Sequence, residues 1–283
     1  GIPLRINASD DPTAAGQDPG MVDVLDINNL NPEDITVGEI SPTCGKAAME
    51  WVTKAGELAL AGVVDGMATA PLNKEAASLA GYESIGHSEL LQELAGVKTV
   101  ATMLLAKNLR VVHLTTHRSL RLACDYVKKD RILEFLQLTH DNFVTWGFKN
   151  PRIGAAALNP HNSDGGLLGS EEAEEIAPAV EAARQRGIDV TGPVPADIIF
   201  HQAIQGRYDA VLCMFHDQGH IPVKVYGFEE SITANLGLPF VRTSVDHGTA
   251  FDIAGKGIAD AFSMLESIRL AVGLAKGNGL ADF

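Results

Sequence analysis

Cysteine is almost absent from this chain. Its 283 residues include three, Cys44, Cys124 and Cys213, an odd and widely spaced set, two of them in apolar runs. That excludes a disulfide framework and leads us to expect core thiols in a reducing, cytoplasmic setting. Long apolar runs are absent too: none reaches the length needed to cross a membrane, and no signal-peptide pattern opens the chain. Basic residues are outnumbered, 22 Lys and Arg against 36 Asp and Glu, for a formal net charge of −14. This balance argues against nucleic acid or an anionic membrane as partner. It leaves room for an anionic small molecule, because a local basic pocket overrides a global sign. No GxGxxG follows any strand-like run, so an ordinary dinucleotide-binding unit is not supported. There is no internal repeat, linker or low-complexity tract. The length allows one large α/β domain or two lobes over residues 1–283, with no lobe boundary that the sequence marks.

What is present is a core-forming composition, 46% hydrophobic and 20% charged, and an alternation of strand-like and helix-like runs. After an Asp-, Asn-, Pro- and Gly-rich opening with an exposed loop at 10–18, residues 22–27 read as a strand and 43–60 as a helix ended by Gly62. Residues 63–69 read as a strand and 75–79 as a helix. In the stretch 81–91, His87-Ser88 leads a helix that Ser88 can cap. Residues 99–105 and 109–115, joined by a tight Lys107-Asn108 turn, suit a hairpin, which makes the sheet mixed. Helices are expected at 119–127, 131–146, 171–186 and 259–275, and strands at 152–158 and 210–215. A glycine-bearing loop covers 159–169. The two prolines of 190–197 mark a turn-rich connection.

Three of the apolar runs end in the same way. RVVHLTTH runs into His117, RIGAAALNPH into His161, and AVLCMFHDQGH into His216 and His220. Side by side in a parallel sheet, these strands bring His117, His161 and His216 to one carboxyl edge. Three imidazoles with an open position suit a divalent metal such as zinc, cobalt, magnesium or manganese. The alternative is a set of substrate-binding or acid–base histidines without metal. Pro222 then restarts a short apolar run with a single cation, Lys224. Near the end, HGTAFDIAGKG from His247 to Gly257 is a glycine-punctuated loop with one carboxylate, Asp252, and one cation, Lys256; such a loop can hold a nucleotide or a phosphate.

Taken together, these motifs resemble a known family. DIAGKG after HGTA resembles the cofactor loop of the isocitrate and isopropylmalate dehydrogenases. The set APLNK, GHSE, TTH, LNPH, FHDQG and LGLPFVRTSVDHGTA is similar to the 4-hydroxythreonine-4-phosphate dehydrogenase family of vitamin B6 biosynthesis, over about residues 2–273. The resemblance implies an isocitrate/isopropylmalate-dehydrogenase-like two-lobed α/β fold with a mixed, mostly parallel sheet. It implies an obligate homodimer with active sites at the interface. It also implies NAD or NADP as cofactor and one divalent metal on His117, His161 and His216. Carried over residue by residue, substrate contacts fall on His87, Ser88, Lys224, Thr233 and Arg242, and the nicotinamide loop on His247, Gly248, Thr249 and Asp252. Lys224 is the expected proton-exchanging group, and Asp217 is expected to orient His216.

The implied reaction is oxidation and decarboxylation of 4-phosphohydroxy-L-threonine to 3-amino-2-oxopropyl phosphate and carbon dioxide. The runner-up is a paralogue acting on 4-phospho-threonate or 4-phospho-erythronate. A rival from another class is a metal-dependent hydrolase or lyase without NAD; a further one is a non-catalytic chain that keeps the pocket. Three departures bear on this. Ser88 stands where the family carries threonine, and Thr233 where it carries asparagine, with Asn235 two residues on. The family's opening strand and GDPxGIGPE loop have no counterpart before residue 2, so that first element is expected to be missing here.

Overall fold

The computed structural model describes residues 3–16, 18–84 and 86–279; Gln17 of the expected loop 10–18 and Ile85 of the stretch 81–91 lie outside the described residues. Two compact units emerge, each built from non-contiguous segments.

The first unit comprises Gly1–Asp65, Pro71–Ala95 and Gly248–Ala259. Its two strands, β1 (Arg5–Ser9) and β2 (Met21–Leu25), pair in parallel. Its helices are α1 (Pro42–Leu60), α2 (Lys74–Leu79) and α3 (His87–Ala95). Ser41 caps α1 by accepting from the Cys44 amide, with Pro42 at the first helical position, and Asn73 caps α2 by accepting from the Ala76 amide. Helices α1 and α2 touch backbone to backbone: a Cβ at Gly45 would collide with the Ala76 carbonyl. Ser88 is not the cap expected of it, because α3 already begins at His87.

The second unit comprises Gly66–Ala70, Gly96–His247 and Asp260–Phe283. Its strands are β3 (Gly66–Thr69), β4 (Ala101–Ala106), β5 (Leu109–His113), β6 (Ile153–Ala156), β7 (Val190–Val194), β8 (Ala210–Cys213), β9 (Ile232–Leu236) and β10 (Val241–Val245). They form one eight-stranded sheet in the order β3-β10-β9-β4-β5-β8-β6-β7. Pairs β3·β10, β5·β8, β6·β8 and β6·β7 are parallel; β9·β10, β4·β9 and the β4·β5 hairpin are antiparallel. The α/β class and the mixed, mostly parallel sheet expected from the sequence are what the chain forms. The helices are α4 (Leu120–Asp125), α5 (Lys129–Thr145), α6 (Ala177–Gln185), α7 (Ala196–Ile204), α8 (His216–Tyr226) and α9 (Phe262–Ala275). One core joins the sheet to residues of α5, α6 and α9, around Phe143, Leu136, Val180 and Leu270. A second lies on the opposite side, where Leu104, Val111 and Val211 meet Ile199 and Phe200 of α7 and Val223 of α8.

Two expectations are corrected here. Residues 190–194 form a strand, β7, despite Pro193; β7 is last in the sheet order, and an edge strand tolerates a residue without an amide hydrogen. Pro222 does not separate two elements: α8 runs unbroken from His216 to Tyr226 with Pro222 inside it. Proline costs that helix one hydrogen bond, but α8 lies along β4 and β5, and packing holds it.

Candidate active site

Strands β5, β8 and β6 lie side by side and parallel, with His113 opposite Cys213 and Ala155 opposite Leu212, so their carboxyl ends form one edge. His113 closes β5, His117 stands four residues on, His216 opens α8 just after β8, and His161 follows β6. The rings of His117 and His216 are 5.9 Å apart. Both line a cavity of about 350 Å³ shared with Arg118, Leu120, Phe215 and Asp217. Asp217 Oδ1 lies 2.7 Å from His216 Nδ1. A carboxylate there accepts the Nδ1 hydrogen and leaves Nε2 of His216 with a lone pair to offer. His161 is exposed and sits in a run of five left-handed residues, from His161 (φ 53) to Gly165 (φ 70). Among the described residues no three His, Cys, Asp or Glu side chains gather as a metal-holding group. The structure thus brings two of the three expected ligands together and sets the third at the end of the neighbouring strand.

The segment bearing His161 is held from below. Glu172, 3% exposed, accepts from the amides of Leu158 (2.8 Å) and Asn159 (2.7 Å) and from Asn159 Nδ2 (2.9 Å). Desolvation pushes its pKa up, but the bonds from the Asn159 side chain and from these amides prevail and hold it below the ordinary value.

Each residue of the HDQGH segment has a separate task. Gln218 accepts from the Met214 amide and donates to the Ala157 carbonyl, both at 2.7 Å, tying the first turn of α8 to the ends of β8 and β6. Gly219 lets the helix come close: a Cβ there would lie 2.5 Å from His113 Nε2 and 2.6 Å from Cys213 Sγ. His220, one turn after His216, stacks on it with ring centroids 3.6 Å apart, and its Nδ1 lies 3.0 Å from His113 Nε2. Burial pushes the His113 pKa down to about 3 and that of His220 down to about 4, so both are neutral near pH 7.

Lys224 lies two turns further along α8, about 12 Å from His216 along the axis. Its Nζ meets Asp246 Oδ2 at 2.6 Å and Ser231 Oγ at 2.8 Å, over the Phe228 ring at 4.8 Å. These groups, with His247, line a cavity of about 180 Å³. Beside it runs a polar strip. Alternation along β9 and β10 puts Thr233, Asn235, Arg242 and Ser244 on one sheet face, with Thr69 on the same face of β3. Arg242, only 5% exposed, donates from Nη1 to Asn235 Oδ1 (2.7 Å) and from Nη2 to Thr69 Oγ1 (2.6 Å). Asn235 thus lies on the same sheet face as Thr233, because two residues along a strand keep the face.

The remaining expected residues belong to the first unit. His87 and Ser88 are half-buried in the first turn of α3. Gly248, Thr249 and Asp252 lie in the segment after β10, where Ala250 is left-handed (φ 49) and Asp252 exposed. Residues that the sequence did not single out are His113, Ser231, Asp246, Glu172 and the partnership of His220 with His113. Only His220 carried a signal, its spacing of four from His216, which is helical spacing.

A mostly parallel sheet with imidazoles at its carboxyl edge and a lysine–carboxylate pair at the far end of the same helix defines an α/β enzyme. The chain belongs to the family of pyridoxal phosphate biosynthetic protein PdxA, whose model matches residues 2–271, and it is an oxidoreductase. It is 45% identical to the 4-hydroxythreonine-4-phosphate dehydrogenase of Geobacter metallireducens, over 99% of this chain and 82% of that protein. It is also 45% identical to the D-threonate 4-phosphate dehydrogenase of Cupriavidus necator, over 97% and 83%. The crystal structure of 4-hydroxythreonine-4-phosphate dehydrogenase from Klebsiella pneumoniae superposes with a TM-score of 0.89 at 44% identity, covering 96% of this chain and 83% of that one.

Proposed function

We propose that this protein oxidises and decarboxylates a small phosphorylated hydroxy acid with a nicotinamide cofactor, at the carboxyl edge of β5, β8 and β6. Family membership along nearly the whole chain carries the reading. The favoured substrate is 4-phosphohydroxy-L-threonine. The second reading, 4-phospho-threonate or 4-phospho-erythronate, is favoured by Thr233 at the family's asparagine position and by the D-threonate 4-phosphate dehydrogenase of Cupriavidus necator.

His117 and His216 suit a divalent metal: both are imidazoles on one cavity wall, and Asp217 leaves His216 Nε2 as the donor. His161 is the third donor in this reading, and a homodimer with the site at its interface is the assembly in which we place it. A metal held there would supply Lewis-acid polarisation of the substrate's oxygens. A nicotinamide would be held along His247, Gly248, Thr249 and Asp252 and would supply the hydride acceptor. Loss of hydride from the carbinol carbon to that acceptor, and of the hydroxyl proton to solvent, would give a β-keto acid, whose carbon–carbon bond then breaks to release carbon dioxide. Lys224, fixed by Asp246 and Ser231, returns a proton to the carbon that carried the carboxylate. Arg242, His87 and Ser88 serve the phosphate and the polar groups of the substrate.

Turnover of the three phosphorylated acids, with NAD or NADP and each of zinc, cobalt, magnesium and manganese, followed as NADH or NADPH absorbance, tests the reading. Reduced nicotinamide forming with one of the acids is the expected result. Turnover of substrate without nicotinamide would replace it with the metal-dependent hydrolase or lyase.

A further inference from the structure

Two histidines that this chemistry does not use stand directly behind His216. His113 is 1% exposed at the end of β5, on the sheet face that α8 covers. Its Nδ1 lies 3.3 Å from the Thr102 carbonyl oxygen, and its Nε2 lies 3.0 Å from His220 Nδ1. A carbonyl only accepts, so a neutral His113 donates from Nδ1 and accepts at Nε2. His220 must then donate from its own Nδ1, which also lies 3.3 Å from the His216 carbonyl oxygen. One backbone carbonyl on β4 thereby fixes the direction of a two-imidazole chain that ends against the His216 ring, 3.6 Å away and tilted by 13°. On its other side His216 is held by Asp217 at Nδ1.

Filling this space with apolar side chains would avoid burying polar rings, which is costly without good hydrogen bonds. Instead the sequence places imidazoles and clears room for them with Gly219, whose Cβ would collide with His113 Nε2. We propose that His113 and His220 are positioning residues for His216: the chain from the Thr102 carbonyl through both rings fixes the plane against which His216 stacks, and so the direction in which it offers Nε2 to a divalent cation. This rests on the metal reading above. His113 and His220 touch neither substrate nor metal in it; they act through His216.

The test is zinc titration into the metal-stripped full chain, with four variants. His113→Leu and His220→Leu are expected to weaken zinc binding about tenfold to a hundredfold, the usual effect of removing a partner behind a metal ligand. His113→Gln is expected to recover most of the loss, because an amide can donate to Thr102 and accept from His220. A volume-filling structural role predicts the reverse order, with leucine tolerated and glutamine harmful. His216→Ala separates the two layers: if it too binds zinc as tightly as the unaltered chain, the metal reading fails. If it abolishes binding while both leucine variants bind normally, only the positioning role fails. Should a leucine variant not fold, nitrogen-resolved NMR of the unaltered chain decides. Nδ1–H tautomers of both His113 and His220 support the chain of bonds; an Nε2–H tautomer of either overturns it.

Discussion

Lys224 meets a carboxylate, a hydroxyl and an aromatic face, and all three come from segments outside its own helix. In the proposed reaction, a lysine so fixed would supply a directed proton rather than a mobile surface charge. Lys224→Met is expected to cut kcat by about a hundredfold or more and leave the cofactor Kd unchanged; equal losses in both would assign the residue to structure. Asp246→Asn removes the counter-charge but keeps an acceptor, so a smaller loss in kcat is expected from it than from Lys224→Met in the same assay. In the proposed function, Ser88 and Thr233 bear on substrate choice. A hydroxyl reaches less far than an amide, and one polar contact is worth about 1–3 kcal/mol, or roughly tenfold to a hundredfold in preference. We expect 4-phospho-threonate to compete with 4-phosphohydroxy-L-threonine, with a kcat/KM that approaches that for the amino acid. A large preference for the amino acid would show that Asn235, on the same sheet face, substitutes for the missing amide. His117 and His216 were legible in the sequence because each ends an apolar run, a local pattern. Asp246 and Ser231 were not, because their meeting with Lys224 depends on where α8 lies against the sheet.

Glu172 acts at the scale of an element. It anchors Leu158 and Asn159, after which the backbone enters four left-handed non-glycine residues, each costing about 1–2 kcal/mol in that conformation. Glu172→Gln is expected to lower Tm by about 2–10 °C near pH 7, from the loss of a buried charged acceptor. Because the folded state holds this carboxyl below its ordinary pKa, its contribution is present above the ordinary carboxylate pKa and is lost as pH falls through the folded value. The Tm gap between the two proteins should therefore narrow on acidification; a gap independent of pH would locate the effect in packing. Gly219→Ala drives a methyl into His113 and Cys213, and thermal melting should show a loss of about 1–3 kcal/mol. Helices α1, α5 and α9 and the β4·β5 hairpin were legible because their periodicity is strong. Strands β1 and β7 and the continuity of α8 were not: β1 is mostly polar, β7 contains Pro193 and α8 contains Pro222, and in each the decision belongs to pairing or packing partners outside the segment itself.

For the whole molecule, the proposed third metal donor gives the assembly state chemical meaning. Sedimentation at micromolar concentration is expected to give twice the mass of one chain; a monomer with full activity would rule out an interface site. The sheet has a further consequence. Its edge strand β3 ends at Thr69, yet among the described residues it pairs only with β10, where Ser244 Oγ donates to the Thr69 carbonyl across 175 residues of sequence. At about 5–20 residues per second on the ribosome, β3 waits on the order of 10–35 s for its neighbour to be synthesised. Throughout that interval the growing polypeptide carries an unpaired strand, so nascent chains stalled before Val241 are the species on which chaperone binding and aggregation should concentrate.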